Sequence, residues 1–160
     1  MSDMLKSAML TIALGTPLGA AAAGDHHGHD GHHSPFEGMP LLMLMHNMQY
    51  YVHKLGLAVD AGNKPLQGFY VHEVEEVIEA VGEIDHYDGI AIPTLLESTL
   101  KPAFEALEGA IEVGDAERVD AAYDRFIEGC NDCHRGSHRP YIVIERRHDN
   151  PYPQSFAPRP

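Results

Sequence analysis

Basic side chains are scarce in this chain. It carries 11 lysines and arginines against 24 aspartates and glutamates, a formal charge of −13. A polyanion needs a basic face to bind to, so general nucleic-acid binding is excluded. The chain also lacks a glycine-rich phosphate loop, a nucleophile elbow and a paired set of catalytic carboxylates, and no enzyme activity is expected of it. No apolar run reaches the roughly 20 residues that span a bilayer. The best candidate, near the N-terminus, is interrupted by Gly15, Thr16 and Pro17. Only two cysteines occur, and a zinc site built on a second Cys pair is therefore out of reach. What is present suits one globular domain: 160 residues, of which 44% are hydrophobic, can bury a substantial core.

Those two cysteines lie together in Cys130-Asn131-Asp132-Cys133-His134. Two thiols at this spacing, followed at once by an imidazole, are what covalent haem attachment requires, because each thiol can add to one vinyl group while the His reaches the iron. On a helix, Cys133 and His134 stand three and four residues from Cys130, so all three project from nearly one face. Competing readings are two unrelated cysteines, a thioredoxin-type redox pair, or part of a zinc site. The redox pair belongs early in a βαβ unit rather than late in a helical chain.

Residues 1–23 read as a secretory signal, with Lys6, an apolar stretch from Ala8 to Leu18, and the small-residue run Ala20 to Ala23. Export to the periplasm is expected, where c-type haem is attached in bacteria. Residues 24–39 form an arm rich in Gly and His (His26, His27, His29, His32 and His33) that should be disordered. It could collect Cu(II), Ni(II) or Zn(II). If cleavage falls after Ala23, a free amine followed by His26 in third position could wrap Cu(II) or Ni(II) in a square plane.

From Leu41 the pattern becomes helical. Leu41, Leu44, Met45, Met48, Val52, Leu55 and Val59 recur at spacings of three and four, and Gly62 makes a stop. Asn63 and Pro65 open a second helix whose stripe is Leu66, Tyr70, Val74, Val77, Val81 and Ile84. Asp85 to Pro93 reads as a loop. Thr94 and Glu97 match a capping box for a third helix, within which Pro102 should force a kink or a restart. After Gly114 and Asp115, a fourth helix runs through Val119, Ala122, Phe126 and Ile127 into the cysteine motif. The fold class expected is all-α, an antiparallel four-helix bundle over residues 40–135 with the cofactor between helices.

Four such helices with C-x-x-C-H on the last resemble the class II cytochromes c, the cytochrome c′ group, over roughly Leu41 to Arg135. The resemblance implies a haem c held by Cys130 and Cys133, with His134 as proximal iron ligand. It places the sixth position on the first helix, which offers Met43, Met45, His46, Met48 and His53. Met45 and Met48 lie on the core stripe, and a thioether ligand would suit a one-electron carrier; the same methionines could simply fill space beside the haem. Ligation by His46 or His53 is a further option. An empty sixth position would instead suit binding of nitric oxide or carbon monoxide, and a third reading makes the His-rich arm a metal handler. Tyr50, Tyr51 and Tyr70 are expected to pack near the haem. His72, with Glu73 and Glu76, could join a metal site, although a solvated helix face explains it as well.

The chain departs from that group in its length beyond the motif. Residues 136–160 form an extension in which Tyr141-Ile142-Val143-Ile144 could make a short strand or a strap across the haem edge, and the Pro-rich end should be extended. Arg135, Arg139, Arg146 and Arg147 suggest a basic patch beside the cofactor, fit to dock a redox partner acidic at its contact face. A homodimer is compatible with such bundles, and no membrane span is expected once the signal is removed.

Overall fold

The computed structural model describes residues 34–159, which are mostly helical. Among them are five helices: α1 (Leu41–Asp60), α2 (Lys64–Gly82), α3 (Ile92–Thr99), α4 (Lys101–Val113) and α5 (Ala116–Gly136). A two-residue hairpin, β1 (His86–Tyr87) with β2 (Ile90–Ala91), precedes α3. None of these helices is long and apolar enough to cross a membrane. The signal segment and most of the His-rich arm, including His26, lie outside the described residues. The part of the arm that is described, from Ser34 onward, forms a turn, and Phe36 is buried with its ring edge-on to Tyr51. From Ser34 to Met39, then, the arm is ordered, contrary to the disorder expected of it.

Local chemistry sets the helix ends. Gly62 takes a left-handed conformation (φ 63°) after α1, and the Asn63 side chain accepts from the Leu66 amide to cap α2, with Pro65 in the first turn. Gly114 ends α4 with φ 73°, and the Asp115 carboxylate accepts from the Arg118 amide to open α5. The third expected helix is different. Its N-cap is Ala91, without a side-chain cap, so Thr94 lies inside the first turn and the capping box does not form. The hairpin fixes this start: Asp88 and Gly89 both have positive φ, and Ile92 donates to the Asp85 carbonyl at 3.1 Å. At Leu100 the helix stops and restarts as α4, with Pro102 in the new first turn, where its missing N–H costs no helical bond.

The main contacts are α1 against α2 and α4 against α5, with α3 touching α2, α4 and α5. The core includes Leu44, Val52, Leu55, Val74, Val77, Leu96, Leu107 and Phe126. α1 and α5 approach tightly at Gly56, where a Cβ would stand 2.5 Å from the Tyr123 hydroxyl. That hydroxyl donates to the Val52 carbonyl at 2.8 Å.

Residues beyond α5 have no helix or strand, yet they are bound tightly to the rest. Phe156, 7% exposed, stacks obliquely on Tyr70, and its carbonyl accepts from Asn63 at 2.9 Å. Gln154 Oε1 accepts from both Lys54 and Tyr70, each at 2.9 Å. Lys54 is only 8% exposed and sits over the rings of Tyr50 and Tyr152 at 4.4 and 4.9 Å. The tail thus covers a second face of α1, and this explains why Lys54 is buried beside the expected stripe; Gly56 is buried against Tyr123 of α5. Arg146 joins three elements, reaching Asp60 of α1 at 2.5 Å and Asp120 and Asp124 of α5 at 2.7 and 2.8 Å.

Replacing Arg146 with Met is expected to cost about 2 kcal/mol in urea unfolding, because a charge-assisted contact is lost and Asp60 is left half-buried. Asp120 and Asp124, more than half exposed, contribute little to that figure. Burial acts to raise the pKa of Asp60, but the hydrogen bonds from Arg146 and His148 outweigh it and hold the carboxyl below its ordinary range. A depressed carboxylate pKa adds stability above the unfolded value, about 4, and this is lost as pH falls through the folded value. The wild type should therefore lose tail anchoring below about pH 4, and R146M should show less of that acid loss in a pH series of urea titrations.

Candidate functional site

The three side chains of the cysteine motif stand on the last turns of α5 and face a single cavity of about 420 Å³, a size ordinary for small-molecule sites. Cys130, Cys133 and His134 line one wall. Met45, His46, Met48 and Val52 of α1 line another, and Val81, Tyr87, Ile92, Leu95, Leu96 and Leu100 close much of the rest. Ile142, Val143 and Ile144 of the tail also line it. Ile142 to Ile144 are therefore a strap along the cavity and not a strand, while Tyr141 lies exposed in the preceding turn.

Both cysteines are free thiols. Burial pushes the Cys130 thiol up to about 12, the neighbouring Cys133 adding to the effect, and burial also raises Cys133. His134 Nδ1 lies 3.0 Å from the Ile142 carbonyl oxygen. A carbonyl only accepts, so the proton sits on Nδ1 and the Nε2 lone pair is free. Burial lowers the His134 pKa, and the charge of Arg139 adds to this against the pull of the carbonyl. The ring is thus neutral near pH 7, the form that ligates a metal. An apolar cavity with two unpaired thiols and a neutral imidazole on one wall fits a porphyrin held by its edge.

Other expected residues are placed elsewhere. Met43 is half exposed and does not line the cavity. His53 opens onto a neighbouring cleft of about 330 Å³, with its Nε2 3.2 Å from the Asp149 carbonyl and its Nδ1 3.1 Å from the Tyr152 hydroxyl. It is occupied in holding the tail. Tyr50, Tyr51 and Tyr70 do not line the cysteine cavity either: Tyr70 binds Gln154, Tyr50 packs on Tyr152, and Tyr51 meets Phe36. His72 is well exposed and lies 3.6 and 3.5 Å from Glu75 and Glu76 on one helix face. Among the described residues no group of three or more His, Cys, Asp and Glu side chains is placed to hold a bare metal ion.

The expected basic patch is corrected by the ion pairs. Arg135 bonds Glu128 and Asp132, Arg139 bonds Asp88, Arg147 bonds Asp149, and Arg146 is spent on its three aspartates. Counting charges along the sequence could not show that each arginine has its own carboxylate. Sequence reasoning also missed Asn131, whose side chain binds Ile144 twice, and the wall contributed by Tyr87 and Ile92. The Asp88-Gly89 pair was a usable hairpin signal for the latter.

Comparison with protein-family models, curated proteins and solved structures finds no match to this chain.

In the haem-free, reduced chain, iodoacetamide is expected to label Cys133 well before Cys130, because Cys130 is more deeply buried and its thiol more reluctant to ionise. Mass spectrometry of partly labelled protein would show the order, and in guanidinium the two should react alike. Equal rates in the folded chain would contradict the described burial.

Proposed function

We propose that this chain is a periplasmic c-type cytochrome that carries single electrons on one covalently attached haem. Its architecture is then an antiparallel four-helix bundle in which α3 and α4 together make one interrupted helix. The observation that carries the reading is the convergence of Cys130, Cys133, His134, Met45 and Met48 on a single apolar cavity. The spacing of the motif alone suggests haem, and the cavity adds a place of suitable chemistry for it.

When bound, the haem supplies a one-electron iron couple. The chain's residues attach it, orient it and keep it dry. Cys130 and Cys133 would hold it through thioether links, each thiol's S–H adding across one vinyl group. His134 offers Nε2, with the ring held through Nδ1 by the Ile142 carbonyl. Met48 is 7% exposed and Met45 half-buried; either thioether would be a second protein ligand to the iron, with His46 on the same cavity wall as the alternative, and all three are preferred to His53, which lines the neighbouring cleft. The apolar walls exclude water, and fixed surroundings reduce the reorganisation that accompanies a change of charge. Delivery to the periplasm rests on the signal-like segment at the N-terminus. The partner is a redox protein of that compartment, met without a free arginine patch.

The test is maturation in a bacterium that attaches c-type haem, followed by optical spectra with and without carbon monoxide. The expected wild type holds covalent haem, is low-spin, and does not respond to carbon monoxide. Of Met45→Ala and Met48→Ala, one should open the iron to carbon monoxide while the other leaves it closed. An open, carbon-monoxide-responsive wild type would instead favour gas binding, and a chain without covalent haem would overturn the reading altogether.

A further inference from the structure

We infer that Asn131 is a positioning residue for His134: by clamping the C-terminal strap at Ile144, it holds the Ile142 carbonyl against the imidazole and so fixes the ring. The inference rests on the haem reading above. Asn131 occupies one of the two positions between the cysteines, is buried, and uses both halves of its amide on one residue. Its Nδ2 donates to the Ile144 carbonyl at 3.0 Å, and its Oδ1 accepts from the Ile144 amide at 2.8 Å. This is the pairing one strand residue makes with another, supplied here by a side chain.

Two residues back along the extended strap is Ile142, whose carbonyl is 3.0 Å from His134 Nδ1. In an extended chain, groups two apart point the same way, and Asn131 and His134, three apart on α5, share a helix face. Strap and helix therefore run antiparallel and meet at two matched points. The return is made by the turn after α5, in which Arg139 donates to the His134 carbonyl at 2.8 Å and Ile142 to the Arg139 carbonyl at 3.0 Å. Few side chains can replace Asn131 in this geometry. Asp lacks the donor, and Ser is too short to bridge both groups of one peptide. The consequence for His134 is a fixed tautomer, a fixed rotation about its bond to the chain, and a more basic Nε2.

The test compares haem-loaded wild type with Asn131→Ala and Asn131→Asp, all with both cysteines intact. The ferric electron paramagnetic resonance spectrum and the reduction potential report on the imidazole, and limited proteolysis reports on the strap. Wild type should give one set of g values. N131A should keep its covalent haem but show a broadened or multiple spectrum, a shifted potential, and cleavage within residues 139–145 roughly ten-fold faster, as loss of two neutral hydrogen bonds allows. N131D keeps the acceptor for the Ile144 amide and should fall between; if N131A does not accumulate, it serves alone. Faster cleavage with an unchanged spectrum and potential would make Asn131 merely structural and overturn the inference, as would variants indistinguishable from wild type. A wild type that takes no haem overturns the functional reading, and this inference with it; haem-loaded wild type with unmoved variants overturns only this one.

Discussion

A tight contact between α1 and α5, at Gly56 and Tyr123, stands beside the cavity and helps to hold its two walls together. Tyr123 is almost fully buried, and its hydroxyl donates to the backbone of Val52 in the groove that Gly56 leaves open. Val52 is itself a cavity residue, Met48 is one turn before it, and Cys130 is two turns after Tyr123. Any side chain at position 56 would push the phenol out, and the wall bearing the methionines would move away from the wall bearing the thiols. A buried hydroxyl that keeps its single bond contributes about 1 kcal/mol, but one left unpaired costs more. The contact is therefore held from both sides, by the space at Gly56 and by the bond at Val52.

The tail is the second constraint. Most of its anchors join residues about ninety to a hundred apart in sequence: Lys54 with Gln154, Asn63 with Phe156, and Asp60 with Arg146 and His148. Between these anchors the chain passes Cys130 to His134 and adds Ile142 to Ile144 to the cavity wall. A helix end carrying two thiols and an imidazole would otherwise face solvent on one side. The extension closes it with apolar side chains and gives the imidazole a carbonyl. The charge of Arg146 fixes this covering in place on α1 and α5.

The parts of this fold that were legible in the sequence are those written in neighbouring residues. Asn63 with Pro65, Gly114 with Asp115, and the stripes of α1, α2 and α5 all signal locally, and they place the cysteine motif at the end of a helix facing a core. Thr94 with Glu97 is the instructive failure. The pair satisfies the capping pattern, but the Asp88-Gly89 turn brings Ile92 onto the Asp85 carbonyl and moves the N-cap three residues earlier, to Ala91. A closed turn upstream outweighs a favourable cap downstream, because the helix must begin where the preceding chain delivers it. Lys54 and the tail anchors were not legible, since their partners lie far along the chain. Arg139 and Arg146 were misread for the same reason, because their aspartates lie far along the chain, whereas the partners of Arg135 and Arg147 are near neighbours in sequence.

Burial of the thiols bears on the order in which a c-type haem could be attached. A sulfur adds readily to a vinyl carbon when it is reachable and has some thiolate character, and in the folded chain Cys130 has little of either. The strap adds to the obstruction, because it returns along α5 and is tied to Asn131 between the two cysteines. If this chain takes a haem, attachment would therefore be easier while its last helix is still open. In that order the porphyrin would act as part of the core, with α1 packing on its far side and the tail closing last over a group already in place. Binding and folding would then be one event, and the same burial that hinders attachment afterwards would keep the attached group dry.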